Sequence, residues 1–262
     1  MKKVAIVTGA GSGIGLETAR ALSESGFSVY DFSRTDRKHE FLNHIHCDIT
    51  KDEDVKNAVG SVIEKEGGID LLINNAGMGI SGCLEFTVPE DAMHLMNVNL
   101  YGADRVTRAC LPYMRKAGEG RIVFISSVAA VFSIPFQAWY SASKAAVNSY
   151  SMALLNEVHP FGISVTTVMP GDTKTGFTAA RVKAHRGDDV YEGRISASVR
   201  KMEKDETNGM SSKKAGRFIA GVAMRKKVKP MYVIGASYRA LCLVDRILPK
   251  SLVERIVRML YA

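Results

Sequence analysis

Cysteine is scarce in this chain of 262 residues: Cys47, Cys83, Cys110 and Cys242 stand alone. Without a C-x-x-C pair there is no signature of a zinc ribbon or redox dithiol. Four scattered thiols also make a poor disulfide framework. The chain therefore reads as a protein of a reducing compartment, the cytoplasm. Long apolar runs are lacking as well. Basic Met1-Lys2-Lys3 followed by Val4-Ala5-Ile6-Val7 begins like a secretory signal, but Thr8-Gly9 ends the run well short of an h-region. Nothing elsewhere approaches the roughly 18–20 apolar residues that a membrane-spanning helix needs. His44 and His46 have H-x-H spacing, yet no carboxylate cluster accompanies them, so no metal site is read.

The composition is that of a globular protein, 46% hydrophobic and 24% charged. The net charge of +8 is unevenly placed. Residues 200–262 hold 15 Lys and Arg against 5 Asp and Glu, whereas residues 1–199 hold 20 against 22. Solvated helix faces account for such a bias most simply. An anionic membrane surface or a phosphorylated partner are the sharper alternatives. Nucleic-acid binding has no other support, and none is expected.

Short apolar runs alternate with helical stretches. Strands are expected over residues 3–8, 27–33, 44–47, 69–74, 121–126, 163–168 and 232–234. Helices are expected over 13–25, 52–66, 89–117, 138–158 and about 212–225. Pro89 suits the first turn of the third helix, and Pro160 stops the fourth. This alternation predicts an α/β protein with a single doubly wound (Rossmann) parallel sheet and helices on both faces. Residues 171–208 break the pattern with a polar, poorly periodic stretch. So long a break in a compact unit is usually functional or mobile. With no linker or repeat, residues 1–262 read as one domain carrying an insertion at about 171–208 and a basic tail at about 237–262.

Thr8-Gly9-Ala10-Gly11-Ser12-Gly13-Ile14-Gly15 follows the first strand and opens the first helix. Its glycines permit a tight turn and let backbone N–H groups approach a pyrophosphate, to which the helix N-terminus adds partial positive charge. The spacing is T-G-x-x-x-G-x-G, because Ile14 stands where G-x-G-x-x-G would place its third glycine. No G-K-[ST] follows, which excludes a Walker A loop. At the tip of the second strand, about 20 residues on, an acid would take the ribose 2′-hydroxyl of NAD. Here Ser33 cannot repel a 2′-phosphate, and Arg34 can clamp one, so the expectation is NADP(H). Asp31, two residues earlier on the same strand face, is the alternative and would favour NAD.

Tyr140-Ser-Ala-Ser-Lys144 places a phenol and an ammonium at i and i+4 on one helix face. A phenol of pKa about 10 needs nearby positive charge to carry protons near neutrality. Ser126-Ser127 ends the fifth strand and Asn74-Asn75-Ala76-Gly77 ends the fourth, at the rim where open α/β sheets bind ligands. Asn99 lies in the helix between them.

These motifs occur in the order and spacing of the short-chain dehydrogenase/reductase family, which the sequence resembles over nearly all of residues 1–175 and more loosely beyond. The resemblance implies that Tyr140 is the general acid or base and that Lys144 binds the nicotinamide ribose and lowers the Tyr140 pKa. It further implies that Ser127 bonds the substrate oxygen and that Asn99 holds a relay water. Gly9, Ser12, Gly13, Ile14 and Gly15 would hold the pyrophosphate, Asp48 and Ile49 the adenine. Asn75, Ala76 and Gly77 would border the adenosine, and Pro170, Gly171 and Thr173 the nicotinamide end. Ser141 and Ser143 read as packing or cofactor-neighbouring residues and Trp139 as core or pocket wall. Family members commonly assemble through two long helices, here 89–117 and 138–158, so a homodimer or homotetramer is expected.

The insertion occupies the family's substrate-loop position, where a mobile lid is expected. Pro135-Phe136, Pro160-Phe161-Gly162 and the run from Pro170 to Phe177 look like the hydroxysteroid and retinol dehydrogenase branch, which implies a lipophilic ketone, aldehyde or alcohol. Residues 131–136 are candidates for the substrate wall. The tail places apolar residues at 252, 253, 256, 257 and 260, an amphipathic helix with basic flanks. Packing on its own domain or a partner subunit is the first expectation for it, and peripheral membrane contact the second. The alternative to an enzyme is a dinucleotide sensor or scaffold, against which stands the joint presence of Asn99, Ser127, Tyr140 and Lys144.

Overall fold

The computed structural model describes residues 2–261; Met1 and Ala262, the ends of the unit read from the sequence, lie outside them. Seven strands form one sheet: β1 Val4–Thr8, β2 Ser28–Ser33, β3 Asn43–His46, β4 Leu71–Asn74, β5 Gly120–Ile125, β6 Ile163–Pro170 and β7 Met231–Ile234. Their order is β3-β2-β1-β4-β5-β6-β7, and every neighbouring pair is parallel. The chain winds outward from β1 in one direction, returns, and winds outward in the other. The reversal between β1 and β4 opens a crevice at the carboxyl rim.

Strand alternation divides the core in two. Val4 and Ile6 face α2 (Asp52–Glu66), α4 (Ala103–Ala117) and α5 (Ala138–Val158), packing with Val59, Val106, Met114 and Val147. Ala5 and Val7 face α1 (Gly13–Glu24) and α8 (Ser212–Ala223), packing with Leu22, Ala215 and Ile219. Because both faces are covered, the central strands are continuous apolar runs, and each fully buried aliphatic side chain contributes about 1.5–3 kcal/mol. Gly216 lets α8 lie against the α1 backbone: a Cβ there would come within 2.6 Å of the Thr18 nitrogen.

Three stretches differ from the sequence expectation. The helix expected over 89–117 is α3 (Pro89–Met96) and α4 joined by a π-helical turn, Asn97–Gly102. Nothing in the apolar periodicity marks the extra residue. The break over 171–208 contains the short α6 (Phe177–Ala180) and the 14-residue α7 (Arg194–Thr207). In α7 the buried Ile195, Val199 and Met202 form a narrow i, i+4, i+7 stripe among charged neighbours, and they pack on Cys83 and Phe136. The tail is two helices, α9 (Ala236–Ile247) and α10 (Lys250–Tyr261), broken at Leu248-Pro249. Two-residue ladders fasten the lid region to the body, Ile80–Ser81 with Val182–Lys183 and Thr173–Lys174 with Met210–Ser211.

Candidate active site

A cleft of about 620 Å³ runs along the carboxyl rim from the glycine loop to α7, within the size range of small-molecule sites. Its first wall is built on β1. Gly9 and Gly13 take φ of +67° and +58°, a left-handed backbone that glycine adopts without strain. A Cβ on Gly15 would run into the Gly9 carbonyl and the Asn75 amide. Asn75 ties the turn down by donating from Nδ2 to the carbonyls of Thr8 (3.0 Å) and Gly9 (3.3 Å). The Thr8 hydroxyl accepts from the backbone N–H of Asn75 and Ala76. Ser12 makes no side-chain cap and the first turn of α1 holds no acid, so its amide groups are left for an anion. This cradle fits a dinucleotide pyrophosphate.

The β2 tip closes the end of the cleft beside the glycine loop. Asp31 is 2% exposed and its carboxylate is already engaged. It accepts from the Ala10 N–H at 2.7 Å and from the Ser33 hydroxyl at 2.7 Å, and lies 3.2 Å from His44 Nδ1. Asp31 and Ser33 thus share a face, and the acid is spent on the glycine loop. His44 belongs to that network. Arg34, Thr35 and Arg37 line the cleft beyond Ser33, with the Arg37 chain 3.1 Å from where a Gly11 Cβ would stand. Asp48 is turned in on Thr50, accepting from its N–H (3.0 Å) and hydroxyl (2.7 Å). Burial pushes the Asp48 carboxyl up, but those two bonds and the Arg34 charge hold it below the usual range. Ile49 packs on Gly102, where a Cβ would approach to 2.6 Å.

At the centre, Ser127, Tyr140 and Lys144 converge. Ser127 starts the 3-10 turn after β5, its Oγ accepting from Ala129 N–H at 3.1 Å, and its hydroxyl stands beside the Tyr140 phenol. Lys144 is 5% exposed, and its Nζ donates to the Ile125 carbonyl at 2.9 Å. Burial draws the Lys144 ammonium down to about 8. Burial likewise pushes the Tyr140 phenol up to about 12; Ser127 and Arg181 oppose the rise, while Glu206 and Asp172 add to it. The Lys144 ammonium stands 5.8 Å from the Tyr140 ring centre while it donates to the Ile125 carbonyl. Ser126, the other serine of the pair, points back and donates to the Lys144 carbonyl at 3.0 Å, anchoring α5.

Asn99 does not reach the cleft surface. The π-turn carries it behind Gly77, 2% exposed. There it accepts from Met78 N–H (2.8 Å) and donates to the Met78 carbonyl (2.9 Å) and to Ser143 Oγ (3.0 Å). A Cβ on Gly77 would stand 3.2 Å from Asn99 Oδ1 and 3.4 Å from Lys144 Nζ, so glycine keeps both atoms over one point. Ser143, read as packing, is a direct support of Asn99.

The opposite wall comes from the lid and tail. Pro170, Gly171 and Thr173 border the cleft, but the Thr173 hydroxyl is turned back onto the Gly171 carbonyl at 2.8 Å. Thr175, which sequence reasoning passed over, lies instead against the phosphate loop, 3.5 Å from where a Gly13 Cβ would stand. Phe177 packs on Tyr140 with ring centres 5.7 Å apart. Ile134, Phe177, Met202 and Tyr261 give the wall an apolar lining, within which lie Asp172 and Glu206. Buried Arg181 pairs with Glu206, and Tyr238 covers Gly171 and donates to Asp172. Trp139, expected in the core or pocket wall, is 37% exposed instead, because the first turn of α5 carries it away from the cleft that Tyr140 lines.

Residues 3–186 match the family model described as short chain dehydrogenase. The chain is 40% identical to a 3-ketodihydrosphingosine reductase of Bacteroides thetaiotaomicron, over 99% of this chain and 98% of that one. Among solved structures, a short-chain dehydrogenase from Streptomyces avermitilis superposes with a TM-score of 0.85 at 28% identity, covering 98% of each chain. A 3-ketoacyl-(acyl-carrier-protein) reductase from Brucella melitensis, solved with NADH, superposes with a TM-score of 0.74 at 25% identity, over 88% of this chain and 96% of that one.

Proposed function

The chain belongs to the short-chain dehydrogenase family and is an oxidoreductase of carbonyl and alcohol groups, and from that premise we propose that it uses NADPH to reduce the ketone of a long-chain lipid bearing an amine beside the carbonyl. The observation that carries the reading is the convergence of Ser127, Tyr140 and Lys144 between a phosphate cradle and an apolar wall. The dinucleotide supplies the hydride. Ser127 holds the substrate oxygen and Tyr140 delivers its proton. Lys144 holds the ribose and feeds positive charge to the phenol when it leaves the Ile125 carbonyl. Asn99 positions Met78 and Ser143, and the free lone pair of its Oδ1 beside Lys144 is where a relay water is held.

NADPH is favoured over NADH because Asp31 is occupied and Arg34 and Arg37 flank Ser33, a setting for a 2′-phosphate. A lipid substrate is supported by Ile134, Phe177 and Met202 along the cleft. The amine is supported by Asp172, whose carboxyl burial pushes up and which has Tyr238 but no ion-pair partner among the described residues. The steroid and retinoid readings share the apolar wall but leave that carboxylate without a cation. A homo-oligomer through α4 and α5 is supported by the exposed Tyr101 and Tyr113, and light scattering tests it.

The test follows NADPH consumption with 3-ketodihydrosphingosine, a ketone of equal length without the amine, a steroid ketone and a retinoid. Turnover of the amino ketone, reduced about a hundredfold to ten-thousandfold in Tyr140→Phe with cofactor binding intact, is expected. NADPH binding with no turnover of any carbonyl would move the reading to a sensor.

A further inference from the structure

Helix α9 is built inside out. None of its twelve residues is buried. Leu243, Val244 and Ile247 fall with Leu241 on one broad face, 58%, 44%, 73% and 44% exposed. The helix meets the body through its other side, where Tyr238 covers Gly171. Helix α10 turns Val253 and Val257 inward but leaves Leu252, Met259 and Leu260 outside at 42%, 71% and 54%. Seven of the seventeen exposed large apolar side chains thus lie on these two helices, whereas the others are scattered through the rest of the fold. An apolar face this concentrated is a binding surface rather than ordinary surface hydrophobicity.

Charge says what it binds. Arg239, Arg246, Lys250, Arg255 and Arg258 stand along the two helices against only Asp245 and Glu254. Lys250 is paired with Asp245 at 2.6 Å, and the four arginines are exposed. Leucine, isoleucine and methionine rimmed by arginine suit the boundary between acyl chains and anionic headgroups. No described helix is long and apolar enough to cross a bilayer, so the contact is peripheral. Both helices also touch the cleft. Tyr238 of α9 donates to Asp172, and Tyr261 of α10 lines the cleft and donates to Asp205 of α7 at 3.3 Å.

We propose that α9 and α10 dock the protein on an anionic lipid surface and set the mouth of the cleft against it. The docking rests on this face alone; delivery of a lipid substrate through it rests on the function proposed above. The sequence reading ranked packing on the domain or a partner first for this tail. Val253 and Val257 do pack inward, but the outer faces of α9 and α10 have no cover among the described residues.

The test sediments the full chain with vesicles of phosphatidylcholine alone and of phosphatidylcholine with phosphatidylglycerol. Binding to the anionic vesicles is expected, weakening with salt. The double variant Leu243→Glu/Ile247→Glu should lose on the order of tenfold or more of it. Its melting temperature and its turnover of a water-soluble ketone should match the parent. Absent binding, or binding equal in parent and variant, overturns the proposal. So does a variant that turns an oligomer into a monomer, which would make the face a contact between copies. Sedimentation is read without turnover, so a failure of the proposed reaction is scored apart from a failure of docking.

Discussion

The two walls of the cleft are made differently. The cofactor wall consists of backbone turns held by buried side chains. Thr8, Asn75 and Asp31 each hydrogen-bond the loop they support, and glycine is required wherever a Cβ would strike it. The opposite wall consists of side chains on helices, α6, α7 and the ends of α9 and α10, joined through Arg181–Glu206, two-residue ladders and a small separate core. One wall presents fixed amide groups to an invariant phosphate chemistry. The other presents side chains, Ile134, Phe177 and Met202 among them. Backbone and side-chain surfaces thus face each other across the β1–β4 crevice.

The largest effect that could break this contrast is at Gly15. Gly15→Ala should abolish measurable dinucleotide binding in a titration and cost about 1–3 kcal/mol by denaturant unfolding, because the methyl has only backbone and Asn75 to move. Intact binding would mean the cofactor wall yields as the lid does. Next, Arg34→Ala should weaken NADPH binding about tenfold to a hundredfold while leaving NADH within a few-fold. Equal losses for both would remove the 2′-phosphate from the argument. On the opposite wall, Met202→Ala should raise KM for a lipophilic ketone several-fold and leave the cofactor Kd unchanged, with a stability cost of about 2 kcal/mol or more. The last effect is in pH. Burial lowers the Lys144 pKa from 10.5 in the unfolded chain to about 8, so between those values the unfolded state binds the extra proton and stability rises with pH. Lys144→Met should flatten that rise in denaturation curves taken between pH 8 and 10.5.

The same contrast explains what was legible in the sequence. The sheet and the phosphate loop follow local rules, glycine where the backbone turns left-handed and apolar runs where both faces are covered. Strands and helices up to α2 therefore lie within a residue or two of expectation. Ser127 was separable from Ser126 only by spacing, and the structure gives the physical difference: Ser126 is tied to the Lys144 carbonyl, while Ser127 caps the turn after β5 beside Tyr140. The lid helix α7 was missed because three apolar residues among many charges make a stripe too narrow to stand out until Cys83 and Phe136 supply its partner. Thr175 and Arg37 were missed because their neighbours Gly13 and Gly11 are brought to them only by folding. Trp139 was misplaced by assigning a large aromatic to the interior on type alone.

The π-turn at Asn97–Gly102 also has an evolutionary reading. A residue inserted into an α-helix advances everything after it by about 100°. The buried faces on either side of the turn are set by that residue: Ala92 and Leu95 of α3 face α5 before it, and Val106, Cys110 and Met114 of α4 join the sheet's core after it. Deleting one residue in this turn would rotate α4 out of register as well as dislodge Asn99, so folding and chemistry are tied to a single insertion.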